Sequence, residues 1–188
     1  MRRQFVAALR MLVVLTVLTG VIYPLAVTAI AQLTMKSRAD GSIVSAEGRE
    51  VGSSLIGQRF KGDQWFQGRP DAYDPTASAA SNLGPSNPDL ASAAKAAAAV
   101  RTLNGLSAQT PLPVDAVTTS GSGLDPDISP AYARLQAPRV ARSRSLPVSE
   151  VLTLIDQHTT GRSLGILGEP SVNVLELNVA LEGLASRA

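Results

Sequence analysis

His158 is the only histidine among the 188 residues. A Ser–His–Asp triad would have to use it. A histidine near the C-terminal end of a helix, where His158 is predicted to lie, also interacts favourably with the helix dipole whatever its function. The sequence has no cysteine and no clustered carboxylates, which excludes a thiol nucleophile and leaves no pattern of metal ligands. We therefore predict a structural or solvated His158 and a chain without its own catalytic or metal site.

Two ligand-binding motifs are incomplete in this sequence. Gly57 and Gly62 have the spacing of a phosphate-binding P-loop, but Asp63 and Gln64 stand where Lys and Ser/Thr are required. Residues 125–136 begin like a calcium loop, yet they lack the glycine at the sixth position and the glutamate at the twelfth. Neither motif therefore predicts a site.

Residues 57–73 contain four of the seven aromatic side chains of the chain. Trp65 and Arg69 are residue types that act as anchors at protein–protein contacts, so one interpretation is a partner-binding patch. The other is the aromatic core of a small domain. Both interpretations remain open at the level of the sequence.

Residues 118–126 form a loop rich in hydroxyl side chains and glycine, and it includes Ser120, Ser122 and Asp125. Such loops can bind anions through successive backbone N–H groups. They are also common as simple turns, in which Ser and Asp side chains accept hydrogen bonds from their own backbone. The loop is thus a candidate nucleotide or phosphate site with a turn as its alternative.

The body of the chain, residues 53–188, is predicted to be one mixed α/β (α+β) domain. Helices are predicted over residues 88–103 with Asn87 as N-cap, from a start at Ser129-Pro130 with an interruption at Pro138, over residues 147–158, and after Asn173 as N-cap. Strand and turn material is expected over residues 53–73 and a short strand over residues 114–117. Residues 36–52 are interpreted as a polar connector.

Residues 11–35 include no charged side chain. As a helix they would rise about 37 Å, which is enough to cross a hydrocarbon core of about 30 Å. Two interpretations compete. Ala29-Ile30-Ala31 has the form of a signal-peptidase site, so residues 1–31 could be a signal peptide; the apolar run is, however, longer than such peptides usually have. A retained transmembrane anchor is the interpretation we favour.

Gly20, Tyr23 and Pro24 lie inside this span and are candidates for contact with other helices. A glycine allows two helix backbones to approach closely. A proline leaves a carbonyl without its helical donor, and in a membrane neighbouring helices can supply one.

Basic residues predict the orientation of the anchor. Arg2, Arg3 and Arg10 precede the span and only Lys36 and Arg38 follow it closely, which places residues 1–10 in the cytoplasm and the body outside the membrane. After the span 14 basic residues face 15 acidic ones, so the body has no electrostatic footprint for nucleic acid.

Six segments in this order resemble the C chain of the Kdp potassium-transporting P-type ATPase. They are residues 52–58 (GSSLIGQ), 66–70 (FQGRP), 81–88 (SNLGPSNP), 118–130, 138–141 (PRVA) and 172–178 (VNVLELN). The Thr19-Gly20 and Tyr23-Pro24 pairs of the span match as well. Ala79-Ala80 departs from the family, which usually carries Gly-Gly there.

The resemblance implies a single-span, non-catalytic subunit of a high-affinity potassium pump in the cell membrane, with the A, B and F chains as partners. It implies a catalytic chaperone that raises the ATP affinity of the ATP-hydrolysing B chain, so ATP would be bound through the complex and not tightly by this chain alone. Gln136 matches a family glutamine proposed to contact nucleotide, with an ordinary helix-surface glutamine as the alternative. Asn82 falls in a matched segment and is a candidate partner contact. A secreted or anchored hydrolase or binding protein is the alternative function.

Overall fold

The computed structural model describes residues 1–71, 73–84 and 86–185, and it divides into two compact units, Met1–Ile43 and Val44–Ala188. The first unit is dominated by one helix, Arg2–Thr34. It consists of α1 (Arg2–Val17), a π turn (Leu18–Ile22) and α2 (Tyr23–Thr34), and none of its side chains is fully buried. At about 50 Å it is long and apolar enough to cross a membrane.

The segment expected to be a plain connector, residues 36–52, has regular structure of its own. A one-turn helix α3 (Lys36–Ala39) precedes the two-stranded sheet of β1 (Ile43–Ala46) and β2 (Arg49–Ser53). Glu47 and Gly48 link the two strands and both have positive φ, 50° and 76°. Two central residues with positive φ are the signature of the tight hairpin turn whose twist matches that of the strands.

A small antiparallel sheet lies at the centre of the body. Its strands are β3 (Asp127–Ile128), β4 (Thr159–Thr160) and β5 (Ser171–Asn173), in the order β3-β5-β4. Val172 on the central strand is paired with Ile128 on one side and Thr159 on the other. The architecture confirms the prediction of one long apolar helix followed by a mixed α/β domain.

Four helices surround this sheet or pack near it: α4 (Ala91–Asn104), α5 (Pro130–Arg144), α6 (Val148–Gln157) and α7 (Val174–Ala185). The predicted caps are confirmed. The side-chain oxygens of Asn87, Ser129 and Asn173 accept hydrogen bonds from the first-turn N–H groups of Asp89, Tyr132 and Glu176, at 2.8, 3.1 and 3.1 Å. A 3₁₀ turn, Pro88–Leu90, leads into α4.

The predicted interruption at Pro138 is wrong, because α5 continues through it to Arg144. Proline removes one helical hydrogen bond, but the side chains of Ala133, Ala137, Val140 and Ala141 on the same helix have no exposed surface. Their burial against the rest of the core stabilises the helix on both sides of the proline.

The predictions of strand at residues 114–117 and within residues 53–73 are also wrong, although the turns expected within residues 53–73 are present. Residues 114–117 form a 3₁₀ turn, Val114–Ala116, because the carboxylate of Asp115 turns toward Ser129 and accepts from its N–H at 2.6 Å. Among the described residues between 54 and 73 there is no strand. The backbone there is paired by side chains instead of by a neighbouring strand.

Candidate functional site

The segment of residues 63–67, which we call the clamped segment, is held by side chains from α5 and α7. Gln136 Oε1 accepts from the Gln67 N–H at 2.8 Å, and Gln136 Nε2 donates to the Gln67 carbonyl at 3.0 Å. Asn178 makes the same pair of bonds with Phe66, at 2.9 and 3.0 Å. Two side-chain amides thus replace the strand that would otherwise satisfy this backbone.

Two arginines of α5 hold the beginning of the clamped segment. Arg139 donates to the Asp63 carbonyl, and Arg144 Nε donates to the Gln64 carbonyl at 2.9 Å. Arg139 is only 4% exposed, and it also donates to Asn104 Oδ1 and Gln136 Oε1, at 2.9 and 2.8 Å. Burial lowers the pKa of Arg139 below its usual value. Its charge is solvated by carbonyl oxygens, as a buried cation requires.

Gln136 is buried within the body. The alternative of an ordinary helix-surface glutamine is wrong, because Gln136 has no exposed surface. Its oxygen accepts two hydrogen bonds and its nitrogen donates one, all within the body. A nucleotide contact by Gln136 stays a prediction, and it would require these bonds to be broken.

Of the two interpretations of residues 57–73, Phe66 fits the aromatic core and Trp65 fits the surface patch. Phe66 is fully buried in the hydrophobic core. Trp65 is half-buried, with the Arg144 guanidinium 4.4 Å from the centre of its ring and Phe60 at 5.8 Å. Arg144 is held in turn by Glu182 at 3.2 Å. Phe66 is thus a core residue, while Trp65 lies at the surface in a fixed orientation.

Arg69 is fixed against the hydroxyl-rich loop. Its Nε donates to the Thr118 carbonyl at 3.2 Å, and its Nη2 donates to Thr118 Oγ1 and to the Thr119 carbonyl at 3.1 and 2.8 Å. Its Nη1 lies 3.5 Å from the Asp125 carboxylate. The guanidinium therefore joins the two segments that the sequence marked separately as candidate sites.

Asp71 adds to this contact between residues 69–71 and the hydroxyl-rich loop, which we call the junction. It is 5% exposed and accepts from the Ser120 N–H at 2.7 Å and from the Ser120 hydroxyl at 2.5 Å. The Ser120 oxygen also accepts from the Gly123 N–H at 2.9 Å. The backbone donor that could hold an external anion thus holds an internal carboxylate, and a phosphate would have to displace Asp71 to reach it.

The other two residues proposed for anion binding make local turns. Ser122 Oγ accepts from the Leu124 N–H at 3.1 Å, and Asp125 Oδ1 accepts from the Asp127 N–H at 3.0 Å. These are the contacts expected from the turn interpretation of the loop. Binding of a nucleotide here stays a prediction.

The segment that carries Ala79-Ala80 lies against the same loop. Ser78 donates to the Ser122 carbonyl at 3.0 Å, and Thr119 Oγ1 lies 3.4 Å from Ser81 Oγ. Asn82 follows in an exposed, left-handed conformation with φ of 49°. Contact of Asn82 with a partner stays a prediction.

Tyr73 packs on two bare glycines beside this junction. A Cβ on Gly57 would lie 2.5 Å from the Asp125 carbonyl oxygen and still closer to the Tyr73 ring, and a Cβ on Gly68 would collide with the Tyr73 hydroxyl. Burial, together with the nearby charges of Asp71 and Asp125, raises the pKa of Tyr73 to about 12. The phenol therefore remains neutral in this setting.

An open groove of about 770 Å³ borders the junction. Its lining is mainly apolar and comes from α4, from residues 58–73, and from Ala116 and Tyr132. No group of three or more metal-ligating side chains occurs among the described residues.

His158 lies at the C-terminal end of α6, where it was predicted. Its Nδ1 lies 2.9 Å from the Leu154 carbonyl oxygen. This is the contact of a structural histidine at a helix terminus.

An apolar hairpin tip is a feature that the sequence analysis missed. Leu164, Ile166 and Leu167 are 89, 75 and 58% exposed on a turn closed by Ser163 and Leu167, whose N–H groups each bond the other's carbonyl at 2.9 Å. Leu164 has φ of 54°, a conformation that costs a leucine free energy. Glycines at 161, 165 and 168 around the three aliphatic residues were the available signal. Larger exposed apolar patches mark contacts with other proteins or with a membrane, which makes this tip a candidate contact surface.

Comparison with known protein families identifies the family of this chain. The profile of the KdpC family, described as the c chain of the K⁺-transporting ATPase, matches residues 5–183. The chain belongs to the KdpC family. Three relatives, each named potassium-transporting ATPase KdpC subunit, are similar over almost their whole length. The protein of Mycobacterium bovis BCG is 51% identical over 98% of this chain and 100% of its own. Those of Herpetosiphon aurantiacus and Sorangium cellulosum are 50 and 54% identical, over 99 and 94% of this chain and 99 and 95% of their own.

The resemblance drawn from six short segments is therefore confirmed. Two of those segments meet in the structure at Arg69, which bonds the loop of residues 118–130 from within FQGRP. The last segment, VNVLELN, contains Asn178, whose side chain holds Phe66 of the clamped segment. The segments that carry the family resemblance thus include residues that hold the body together.

Proposed function

We propose that this chain is a non-catalytic accessory subunit of an ATP-driven potassium uptake pump, retained in the cell membrane and assembled with the A, B and F chains. The observation that carries the proposal is the match of residues 5–183, long helix and body together, to the KdpC family. A secreted hydrolase, the alternative function, does not fit a family of pump subunits.

The candidate helix Arg2–Thr34 anchors the chain, with its N-terminus in the cytoplasm and the body on the outer side. Arg2, Arg3 and Arg10 support this orientation through the excess of basic residues on the cytoplasmic side. The body meets the other subunits through exposed surface, for which the apolar hairpin tip is the best candidate, and the half-buried Trp65 is a second one.

The effect on ATP is proposed to be indirect. The chain raises the ATP affinity of the B chain by stabilising one arrangement of the pump, and ATP is bound in the complex and not by this chain alone. Support comes from Gln136, whose amide groups are occupied within the body, and from Ser120, whose N–H is occupied by Asp71. Coupling between separate sites of this kind changes affinity by about 5- to 150-fold.

The test is a pump purified with and without this chain from cells in which its gene is deleted or restored. We expect the pump without the chain to lose subunits, or to show a KM for ATP at least about fivefold higher. Growth at limiting potassium should fail in the deleted strain and return with the restored gene. Equal potassium-stimulated ATP hydrolysis and equal subunit content in both preparations would contradict the proposal.

The non-catalytic part of the proposal has its own variant, His158→Ala. A hydrolase built on the only histidine would lose at least about a hundredfold in turnover, whereas an assembly subunit would support the same growth and ATP hydrolysis. A matched control is Gln157→Ala, the preceding exposed residue of α6.

A further inference from the structure

The π turn in the middle of the long helix changes which backbone groups are paired. The N–H of Tyr23 donates to the Leu18 carbonyl, five residues back, instead of to the Thr19 carbonyl four residues back. The cause is Pro24, whose ring in a regular α-helix would collide with the carbonyl of Gly20. Widening the preceding turn by one residue relieves that collision.

The consequence falls on the carbonyl oxygen of Thr19. In an α-helix its donor is residue 23, and in a π-helix it is residue 24. The Tyr23 N–H is directed to Leu18, and Pro24 has no N–H. Ile22 belongs to the π turn, in which N–H groups are directed five residues back. Within the helix Arg2–Thr34, which the structure describes throughout, neither residue 23 nor residue 24 therefore offers an N–H to the Thr19 carbonyl oxygen.

The surroundings of this carbonyl leave it accessible. The Thr19 hydroxyl does not compensate, because it donates to the Leu15 carbonyl at 2.7 Å. The neighbouring residue, Gly20, has no side chain, and only Thr16 Cγ2, at 3.9 Å, lies within 4 Å of the place a Cβ would take. Another helix can thus approach the backbone here more closely than elsewhere along the span.

Depth in the membrane makes the missing donor costly. Thr19 lies eight residues into the uncharged run that begins at Met11, roughly 12 Å along the helix. Water is absent at such a depth, and lipid chains offer no donor, so an unsatisfied carbonyl there costs several kcal/mol. A protein side chain is the remaining source of a donor.

We infer that the Thr19 carbonyl accepts a hydrogen bond from a hydroxyl or amide side chain on a transmembrane helix of another pump subunit, which packs over Gly20. The inference rests on the proposed function and adds to it a specific contact. The proline, the π turn and the glycine then act together. Pro24 supplies no N–H, the π turn directs the Tyr23 N–H away from the Thr19 carbonyl, and Gly20 lets the partner helix approach.

The experiment uses the whole pump, purified through a tag on this chain in mild detergent and then washed with increasing detergent. Pro24→Ala restores an N–H at position 24, and Gly20→Leu blocks the approach. An interhelical hydrogen bond of about 0.6–1.7 kcal/mol corresponds to roughly 3- to 18-fold in affinity. We expect each variant to release the other subunits with an apparent affinity reduced by about that factor.

Ala29→Leu is the matched control. It places the same leucine side chain at another exposed position nine residues away, which is about two and a half turns and so the opposite face. It should leave the complex unchanged. Retention of the subunits by Pro24→Ala and Gly20→Leu as in the parent chain, or an equal loss with Ala29→Leu, would overturn the inference. A parent chain that brings down no pump subunit would instead contradict the proposed function.

Discussion

Gln136 pairs with Gln67 as one strand pairs with another, accepting from its N–H at 2.8 Å and donating to its carbonyl at 3.0 Å, although it does so with a side chain. A glutamine amide has the donor and acceptor geometry of a peptide group. Because Asn178 does the same with Phe66, two consecutive residues are paired without any strand beside them.

Replacing Gln136 by leucine should therefore lower the free energy of unfolding of the body by about 2–4 kcal/mol, because the Gln67 backbone and Arg139 lose buried partners. Urea unfolding of the detergent-solubilised chain, followed by the fluorescence of Trp65, its only tryptophan, measures the change. Gln157→Leu, at an exposed position, is the control and should shift the midpoint little. Unchanged stability together with loss of ATP-dependent activity would instead favour a direct nucleotide contact by Gln136.

Gly57→Ala should lower the free energy of unfolding by about 1–3 kcal/mol, because the added methyl group must displace the Tyr73 ring or the Asp125 backbone. Gly121→Ala is the matched control, since a Cβ there meets nothing within 4 Å. The same urea titration compares the two variants. If they unfold at the same midpoint, Tyr73 does not occupy the space described.

Alkaline pH should destabilise the body beginning near pH 10. Burial raises the pKa of Tyr73 and of Tyr132 to about 12. Above pH 10 the unfolded chain loses these two protons while the folded chain keeps them, so the unfolded state binds fewer protons and the free energy of unfolding falls until about pH 12. Urea midpoints between pH 8 and about pH 11.5 would measure the decline, which should be shallower in Tyr73→Phe. A decline as steep in Tyr73→Phe as in the parent chain would show that Tyr73 does not contribute.

Ser163→Cys should react with a membrane-impermeant maleimide on intact cells, because Ser163 is exposed in the hairpin of the body, which is expected to lie outside. The chain has no cysteine of its own, so labelling reports this position alone. Gln4→Cys, before the span, is the control and should react only after lysis. The opposite result would place the body in the cytoplasm. A mature protein beginning at Gln32 would show that residues 1–31 are a signal peptide.

The features that the sequence predicted well are those whose cause is local. An Asn or Ser before an apolar periodic run identified three helix starts, at Asn87, Ser129 and Asn173. The long uncharged run identified the helix Arg2–Thr34 in the same way.

The failures come from contacts that are distant in the chain. Pro138 should end a helix by its local chemistry, but burial of Val140 and Ala141 on the far side outweighs the lost hydrogen bond. Gln136 and Asn178 read as ordinary helical amides, because nothing near them in the sequence shows that their partners are Gln67 and Phe66. Asp71 and Ser120 are likewise distant in the chain, so the sequence does not show the bond between them. The Ser120 N–H, a candidate donor to an anion in the sequence, is already bonded in the fold.

The pairing of Phe66 with Asn178 also sets the order in which the body can become complete. The two residues are 112 positions apart, and Asn178 lies in α7. During synthesis from the N-terminus, the backbone groups of Phe66 therefore lack these partners until residue 178 is available. Contacts of such sequence separation slow folding, since the loop must close before the bond is gained. Helix α7 thus completes the body, and a chain cut before residue 178 would leave the backbone of Phe66 without these two hydrogen bonds.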